Sequence, residues 1–312
     1  MSAIREQGIA RRLVGGNVWL GHSIPEGHDS FAGVQPGRFE YEVMPSEEAV
    51  GRAMLAEIEA AAEAKQGPLV IILLGGRGAQ ALHKLLGQVA QTEASDSLLT
   101  RLHVFTQDTL APMRMDNGLS FVRDFERLLG NDFFRKVKSF TCMRTDTSDL
   151  EGELVRYVEK LESLGGIDIL FLGLGPEPEG ASHLAYIKPA SGATAADVAG
   201  MIPISQSILE HHITKFRAGG SVVSEADEAE CRAATHILTL GPAAILGARR
   251  IVQSVVDAST APAKRESYRR LLDTEIAAEA GARAAQLDEN PGLWLRLHSN
   301  VRSLILGDVL GV

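Results

Sequence analysis

Hydrophobic and polar positions along this chain follow two alternating patterns. Leu69-Val70-Ile71-Ile72-Leu73-Leu74 and Ile167-Asp168-Ile169-Leu170-Phe171-Leu172 are nearly unbroken apolar runs of strand length, with shorter strand-like runs at 102–105, 137–141, 234–240 and 301–306. Residues 39–43 alternate as a strand does, and Ser46 with Glu47 and Glu48 opens a helical pattern that lasts to about residue 65. Apolar residues recur at helical spacing over 79–89, 119–134 and 150–164, the last ending at Gly165-Gly166, and residues from Ala243 onward also read as helix. Apolar strands that alternate with helices predict a Rossmann-like α/β fold, a doubly wound and mainly parallel sheet. Residues 1–38 keep no period and are broken by Gly15-Gly16, Pro25, Gly33 and Pro36-Gly37. The expected organisation is an irregular N-terminal arm over 1–38, packed on the surface or on a neighbouring subunit, and one α/β domain over 39–312.

Two strand ends carry the candidate chemistry. The first apolar run enters Gly75-Gly76-Arg77-Gly78 just before a helix. Glycines permit the tight turn, free N–H groups at a helix start attract a phosphate, and Arg77 adds a fork of donors. The loop fits neither G-x-G-x-x-G nor the P-loop pattern, so a plain strand-to-helix turn competes with this reading. The second run enters Gly173-Leu174-Gly175-Pro176 and then reaches His183. A histidine at the carboxyl edge of a sheet is well placed for acid/base work near neutral pH. Asp108, after the short strand that ends at Thr106, is a candidate base, against the simpler reading of a turn-capping aspartate.

Composition narrows the class. With 312 residues, 45% of them hydrophobic, the chain can bury a full core. A formal net charge of −9 and no dense Lys/Arg block argue against nucleic acid or an anionic membrane as partner. Cys142 and Cys231 have neither metal-ligand nor redox spacing, and His211-His212 read as a solvated or packing pair, so no metal and no cofactor is expected. His298 and Trp294, in an apolar setting, read as structural. No apolar stretch is long enough for a transmembrane helix and the N-terminus lacks a signal-peptide core, from which a reducing, cytoplasmic setting is expected, with a homo-oligomer allowed.

From about Phe39 onward, the order of these elements and their end residues resemble the glucosamine-6-phosphate deaminase/isomerase and 6-phosphogluconolactonase family. The matching pieces are Gly75-Gly76-Arg77-Gly78, Val104-Phe105-Thr106-Gln107-Asp108, the stretch from Tyr157 to Gly175, His183, Pro189, Thr239-Leu240-Gly241 and Leu295-Arg296-Leu297-His298. The resemblance implies a phosphorylated sugar as substrate. It also implies that Gly75, Gly76, Arg77 and Gly78 bind its phosphate together with Lys264, that Asp108 moves a proton between C2 and C1, and that His183 assists ring opening. In the lactonase branch the histidine would instead activate water against an ester carbonyl.

The departures from the family pattern are specific. Thr109 replaces the glutamate after the aspartate, and Lys188 replaces the glutamate that supports the histidine. The segment from Pro176 to Ser182 is longer than the family's Asp-Gly-His, so Glu177 or Glu179 takes the place of its aspartate, and Glu179 is the expected third catalytic group. Lys188 should lower the basicity of a neighbouring histidine. The leading expectation is a deaminase/isomerase-type enzyme, with a lactonase-like hydrolase as alternative. A non-catalytic sugar-phosphate-binding effector module is a third reading, but residues 1–38 are too short and broken for the helix-turn-helix such regulators carry.

Overall fold

The computed structural model describes residues 9–22 and 39–311. Its centre is a seven-stranded, all-parallel sheet in the spatial order Tyr41–Met44, Val301–Leu306, Arg250–Val255, Ile169–Leu172, Leu69–Leu73, Leu102–Thr106 and Ser139–Thr141. Every residue of the strands at 69–73, 102–106 and 169–172 is buried, as expected where both faces of a parallel sheet are covered. The sheet reverses its winding between Leu69–Leu73 and Ile169–Leu172, which pair through Ile71↔Ile169 and Ile72↔Leu170. The chain leaves the first of these toward 102–106 and 139–141 and the second toward 250–255 and 301–306, so a crevice opens between their carboxyl ends.

The helices form where the sequence supplies caps and an apolar stripe. Ser46 accepts from the Ala49 N–H at the start of Glu47–Ala64, which buries Val50, Met54 and Ile58. Asp149 accepts from the Gly152 N–H at the start of Leu150–Ser163, which buries Leu154, Tyr157, Val158 and Leu161. The far end of the central strand pair is clamped by one buried carboxylate. Asp168 accepts from the Val70 N–H at 2.8 Å, from Lys65 Nζ at 2.7 Å and from Arg249 Nη1 at 2.8 Å. Trp294 is buried and His298 Nε2 donates to the Ala248 carbonyl at 2.7 Å, both structural as expected.

A second sheet is absent from the sequence reading. Five antiparallel strands run in the order Ala10–Val14, Asn17–Gly21, Asp197–Pro203, His236–Leu240 and Asp108–Ala111. Three expectations change with it. Residues 10–21 of the supposed irregular arm form a hairpin, with Gly15 and Gly16 in its turn at positive φ; residues 1–8 and 23–38 lie outside the described residues. The strand at 236–240 belongs to this antiparallel sheet. The helix from 243 onward is a single turn, Pro242–Leu246, and Ile251 to Val255 are a buried strand of the main sheet. Gly247 closes that short helix, and an apolar run this short does not reveal its period.

Trp19 ties the hairpin to the rest. It is fully buried, pairs opposite Gly200 and donates its indole N–H to the Ser191 carbonyl at 3.0 Å. A β-carbon on Gly200 would lie 2.5 Å from the indole, so the ring occupies the space a larger residue would need. Trp19→Ala should therefore destabilise the protein by about 3–5 kcal/mol. Urea unfolding measures this; a loss below about 1 kcal/mol would mean that the hairpin does not belong to the cooperative core.

Candidate active site

The crevice between the two glycine-terminated strands gathers residues from widely separated parts of the chain. It is lined by Gly75, Arg77 and Gly78, by Gln107 and Asp108, by His183 and Tyr186, and by His211, Lys215, Asp257 and Lys264, among others. Gly76 turns the chain at φ 76°, and the 3-10 turn Arg77–Ala79 leads into the helix Gln80–Val89. Gly75 has no room for a side chain, because its β-carbon would lie 1.8 Å from the Phe121 ring. The loop is held by Ser254, whose hydroxyl donates to the Gly78 carbonyl.

Asp108 stands where the chain passes from one sheet to the other. The parallel strand ends at Thr106 and the antiparallel strand begins at Asp108, which pairs with Thr239, while the Leu240 N–H donates to the Gln107 carbonyl at 3.2 Å. Its carboxylate is buried and accepts from Gln107 Nε2 at 2.6 Å. Burial pushes its pKa up to about 6, against the opposing pull of the Lys215 charge and the Gln107 hydrogen bond.

His183 is fixed from behind. Its strand Ser182–His183 pairs with Gly175–Pro176, and its ring covers Gly175 so closely that a β-carbon there would sit 1.7 Å from Nε2. Nδ1 lies 2.7 Å from Glu177 Oε1, and Glu177 Oε2 accepts from the Ser207 hydroxyl at 2.9 Å. A carboxylate only accepts, so in the neutral ring the proton is on Nδ1 and Nε2 is left as a base. Burial lowers the His183 pKa; Glu177 opposes this, and Lys215 and Lys264 lower it further.

Glu177 therefore holds the position expected of Glu179. Glu179 is exposed at φ 58° on the turn Pro178–Gly180, away from the crevice, and its carbonyl accepts from Arg270. The inserted segment loops outward at this turn and returns at Ala181, whose carbonyl accepts from the Glu177 N–H at 2.9 Å, so only the residue at its base can reach the histidine. Lys188 lies on the outer side of Glu177, in a separate surface hollow with Glu179 and Arg270. The cations that depress His183 are Lys215 and Lys264.

The expected phosphate cations are already partnered. Arg77 Nη2 donates to Glu47 Oε1 at 2.7 Å, and Lys264 Nζ donates to Asp257 Oδ1 at 2.6 Å. Lys215, from the helix Gln206–Ala218, makes no ion pair or hydrogen bond among the described residues. Its ammonium lies 4.6 Å from the centre of the Tyr186 ring and 4.9 Å from that of Phe121. It would stand 3.6 Å from a β-carbon on Gly76, so it faces the glycine loop. Burial lowers its pKa to about 8 while Asp108 pulls it up.

His211 lines the crevice one helical turn before Lys215, its ring 5.9 Å from that of His183. Burial and the nearby Lys264 and Lys215 charges hold it well below the usual histidine range. Its neighbour His212 is a packing residue: Nε2 donates to the Leu119 carbonyl at 2.7 Å, which leaves Nδ1 to accept from the Tyr186 hydroxyl at 2.9 Å. Lys215 and His211 were legible in principle, since Ser205 caps a helix that buries Ile208, Leu209, His212, Ile213 and Phe216 and so turns residues 211 and 215 to one face. The described residues hold no cluster of three or more metal-ligating side chains, and no helix among them is long and apolar enough to cross a membrane.

Comparison with known proteins places this arrangement. No family model matches the sequence. The glucosamine-6-phosphate deaminase of Bacteroides thetaiotaomicron is 35% identical over 68 residues, 20% of this chain and 24% of that protein. That of Bacillus pumilus is 25% identical over 183 residues, 59% of this chain and 67% of that one. The match thus spans about a quarter of the first relative's length and about two thirds of the second's. Among solved structures, a monomeric glucosamine-6-phosphate deaminase superposes with a TM-score of 0.64 at 22% identity, covering 87% of this chain and 98% of that one. The 6-phosphogluconolactonase of Trypanosoma brucei gives 0.57 at 18% identity, covering 88% and 98%. Strand order and glycine loop agree with these matches: the chain shares the fold of the solved glucosamine-6-phosphate deaminase and 6-phosphogluconolactonase structures, and its sequence is similar over part of its length to glucosamine-6-phosphate deaminases.

Proposed function

We propose that this protein is an enzyme acting on a phosphorylated sugar or amino sugar, moving protons at its C1–C2 end as a deaminase/isomerase does. The observation that carries the reading is the grouping, in one crevice, of a buried carboxylate with a raised pKa, a histidine with one free basic nitrogen and an unpaired ammonium beside a glycine loop. The phosphate sits on the loop Gly75–Gly78 and Lys215, with Arg77 and Lys264 contributing charge through their existing pairs. The C1–C2 end lies between Asp108 and His183. His183 Nε2 takes the proton of the C1 hydroxyl and passes it to the ring oxygen as the C1–O bond breaks, with Glu177 stabilising the transient imidazolium; Asp108 then takes the C2 proton and returns it at C1. Thr109 and Lys188, the departures from the family pattern, lie away from the lining of the crevice, so the proton-transfer groups are intact without them.

The pair Glu177–His183 supports a second reading. A neutral imidazole held by a carboxylate can also activate water against a lactone carbonyl, and that reaction has no need of a base at C2. The two readings separate at Asp108.

Exchange of the C2 proton of sugar phosphates with solvent deuterium, followed by proton NMR, tests the leading reading. Wild type should exchange it with at least one phosphorylated hexose or hexosamine, and Asp108→Asn should lower the rate roughly 10²–10⁴-fold with little change in KM. Undiminished C2 exchange in Asp108→Asn would exclude Asp108 as the carbon base, and lactone hydrolysis by a wild type that exchanges no C2 proton would favour the second reading.

The pH profile has two limbs with assigned signs. Asp108 must be ionised to act as a base, so kcat/KM should rise with pH through about 6. Lys215 must be charged to hold phosphate, so kcat/KM should fall above about 8. Lys215→Met removes the upper limb and, by removing a charge that lowers the Asp108 pKa, moves the lower limb to higher pH; a lower limb displaced to lower pH would contradict the assignment.

Glu177→Gln removes an interaction that raises the His183 pKa, so the His183 titration, followed by NMR, should move still further below the ordinary histidine value. An upward shift would show that Glu177 does not hold the ring.

A further inference from the structure

Most buried polar groups in this protein find partners inside it. A few do not, and of these Gln107 alone, among the described residues, lines the crevice. Gln107 is buried at 6% exposure, and its backbone is pinned by the Leu240 N–H. Its Nε2 donates to Asp108 Oδ2 at 2.6 Å, and its Oε1 has no hydrogen-bond partner among the described residues. The other buried unpartnered side chains lie elsewhere: His83 packs edge-on against Phe125 in the core, and Gln253 gives its own oxygen to Ser303 inside the main sheet.

The orientation of the Gln107 amide follows from its neighbour. An ionised carboxylate accepts and cannot donate, so the NH₂ end must face Asp108 and the oxygen must face away from it. A buried carbonyl oxygen without a donor is a standing cost to the fold, and at the wall of a crevice a donor on a bound ligand would remove that cost. Here the oxygen is one amide group away from the carboxylate that serves as the base at C2.

We propose that Gln107 is a specificity-determining residue whose Oε1 accepts a hydrogen bond from a hydroxyl or amino group on the substrate carbon that Asp108 deprotonates. The inference rests on the reading of Asp108 given above and adds a substrate class to it. Phosphorylated sugars with a donor at C2 are accepted, and their 2-deoxy counterparts are rejected because they leave the buried oxygen unpaired. The same amide holds Asp108 in place, so one side chain couples recognition of the C2 substituent to the position of the base.

Equilibrium binding to compounds that cannot turn over keeps this test separate from catalysis. Calorimetric titration would use a hexitol 6-phosphate, its 2-amino-2-deoxy and 2-deoxy counterparts, and inorganic phosphate. Wild type should bind the 2-hydroxy and 2-amino compounds roughly tenfold or more tighter than the 2-deoxy compound. Gln107→Met, which keeps the length of the side chain and removes both polar ends, should bind all three alike while its affinity for inorganic phosphate stays at the wild-type value. A preference for one donor over the other keeps the proposal and names the donor. If Gln107→Met does not fold, Gln107→Asn, with its amide withdrawn by one methylene, carries the same expectation. Hexitol phosphates that bind wild type without discrimination, or a Gln107→Met protein that keeps the preference, would overturn the role of Gln107 and leave the sugar-phosphate reading standing. Failure of every phosphate compound to bind would overturn both.

Discussion

The pairing of Leu69–Leu73 with Ile169–Leu172 is the constraint on which the rest of the site depends. These two strands lie side by side, clamped at their amino ends by the Asp168 carboxylate, and their onward connections leave in opposite directions. Divergence creates the crevice, and the glycines after each strand shape its walls. Gly75 admits Phe121, Gly76 turns toward Lys215, and Gly175 lies beneath the His183 ring. The glycines act mainly through the space they leave, since at Gly75 and Gly175 even a methyl group would occupy the volume of a ring.

Charge inside the crevice is arranged in pairs of unequal closeness. Arg77 and Lys264 are in direct contact with Glu47 and Asp257, whereas Lys215 and Asp108 interact through space without a hydrogen bond between them. A direct buried pair is costly to break, because separation leaves a charge without its partner. The looser pair is the one free to meet a ligand. Burial brings the acid up to about 6 and the ammonium down to about 8, their mutual attraction opposes both shifts, and both are charged over the interval between, in which proton transfer and phosphate binding have to occur together.

Most of the parallel sheet was legible in the sequence because its two central strands are apolar at every position and its strands alternate with capped helices; the strand at 250–255, with Gln253 and Ser254 inside it, was not. The glycine loop, Asp108 and His183 were legible because each stands at the end of a strand that the pattern did reveal. The antiparallel sheet was hidden for a physical reason: Asp197–Pro203 sets the small residues Ala199 and Gly200 among Val, Met and Ile and ends in proline, and Asp108–Ala111 follows the preceding strand after a single residue, so neither has a pattern of its own. Lys215 and His211 come from a helix that packs on the crevice rather than from a strand end, and no motif marks them. Glu179 and Glu177 are indistinguishable by type, and only the outward path of the chain over 178–180 decides between them.

The most direct measurement is a crystal structure of this protein with a hexitol 6-phosphate bound. The expected result has the phosphate on the backbone of residues 76–78 and on Lys215 Nζ, with the C1–C2 end between Asp108 and His183. Phosphate at the Asp108 end of the crevice, or the compound bound outside the crevice altogether, would contradict the assignment of the site and the function drawn from it.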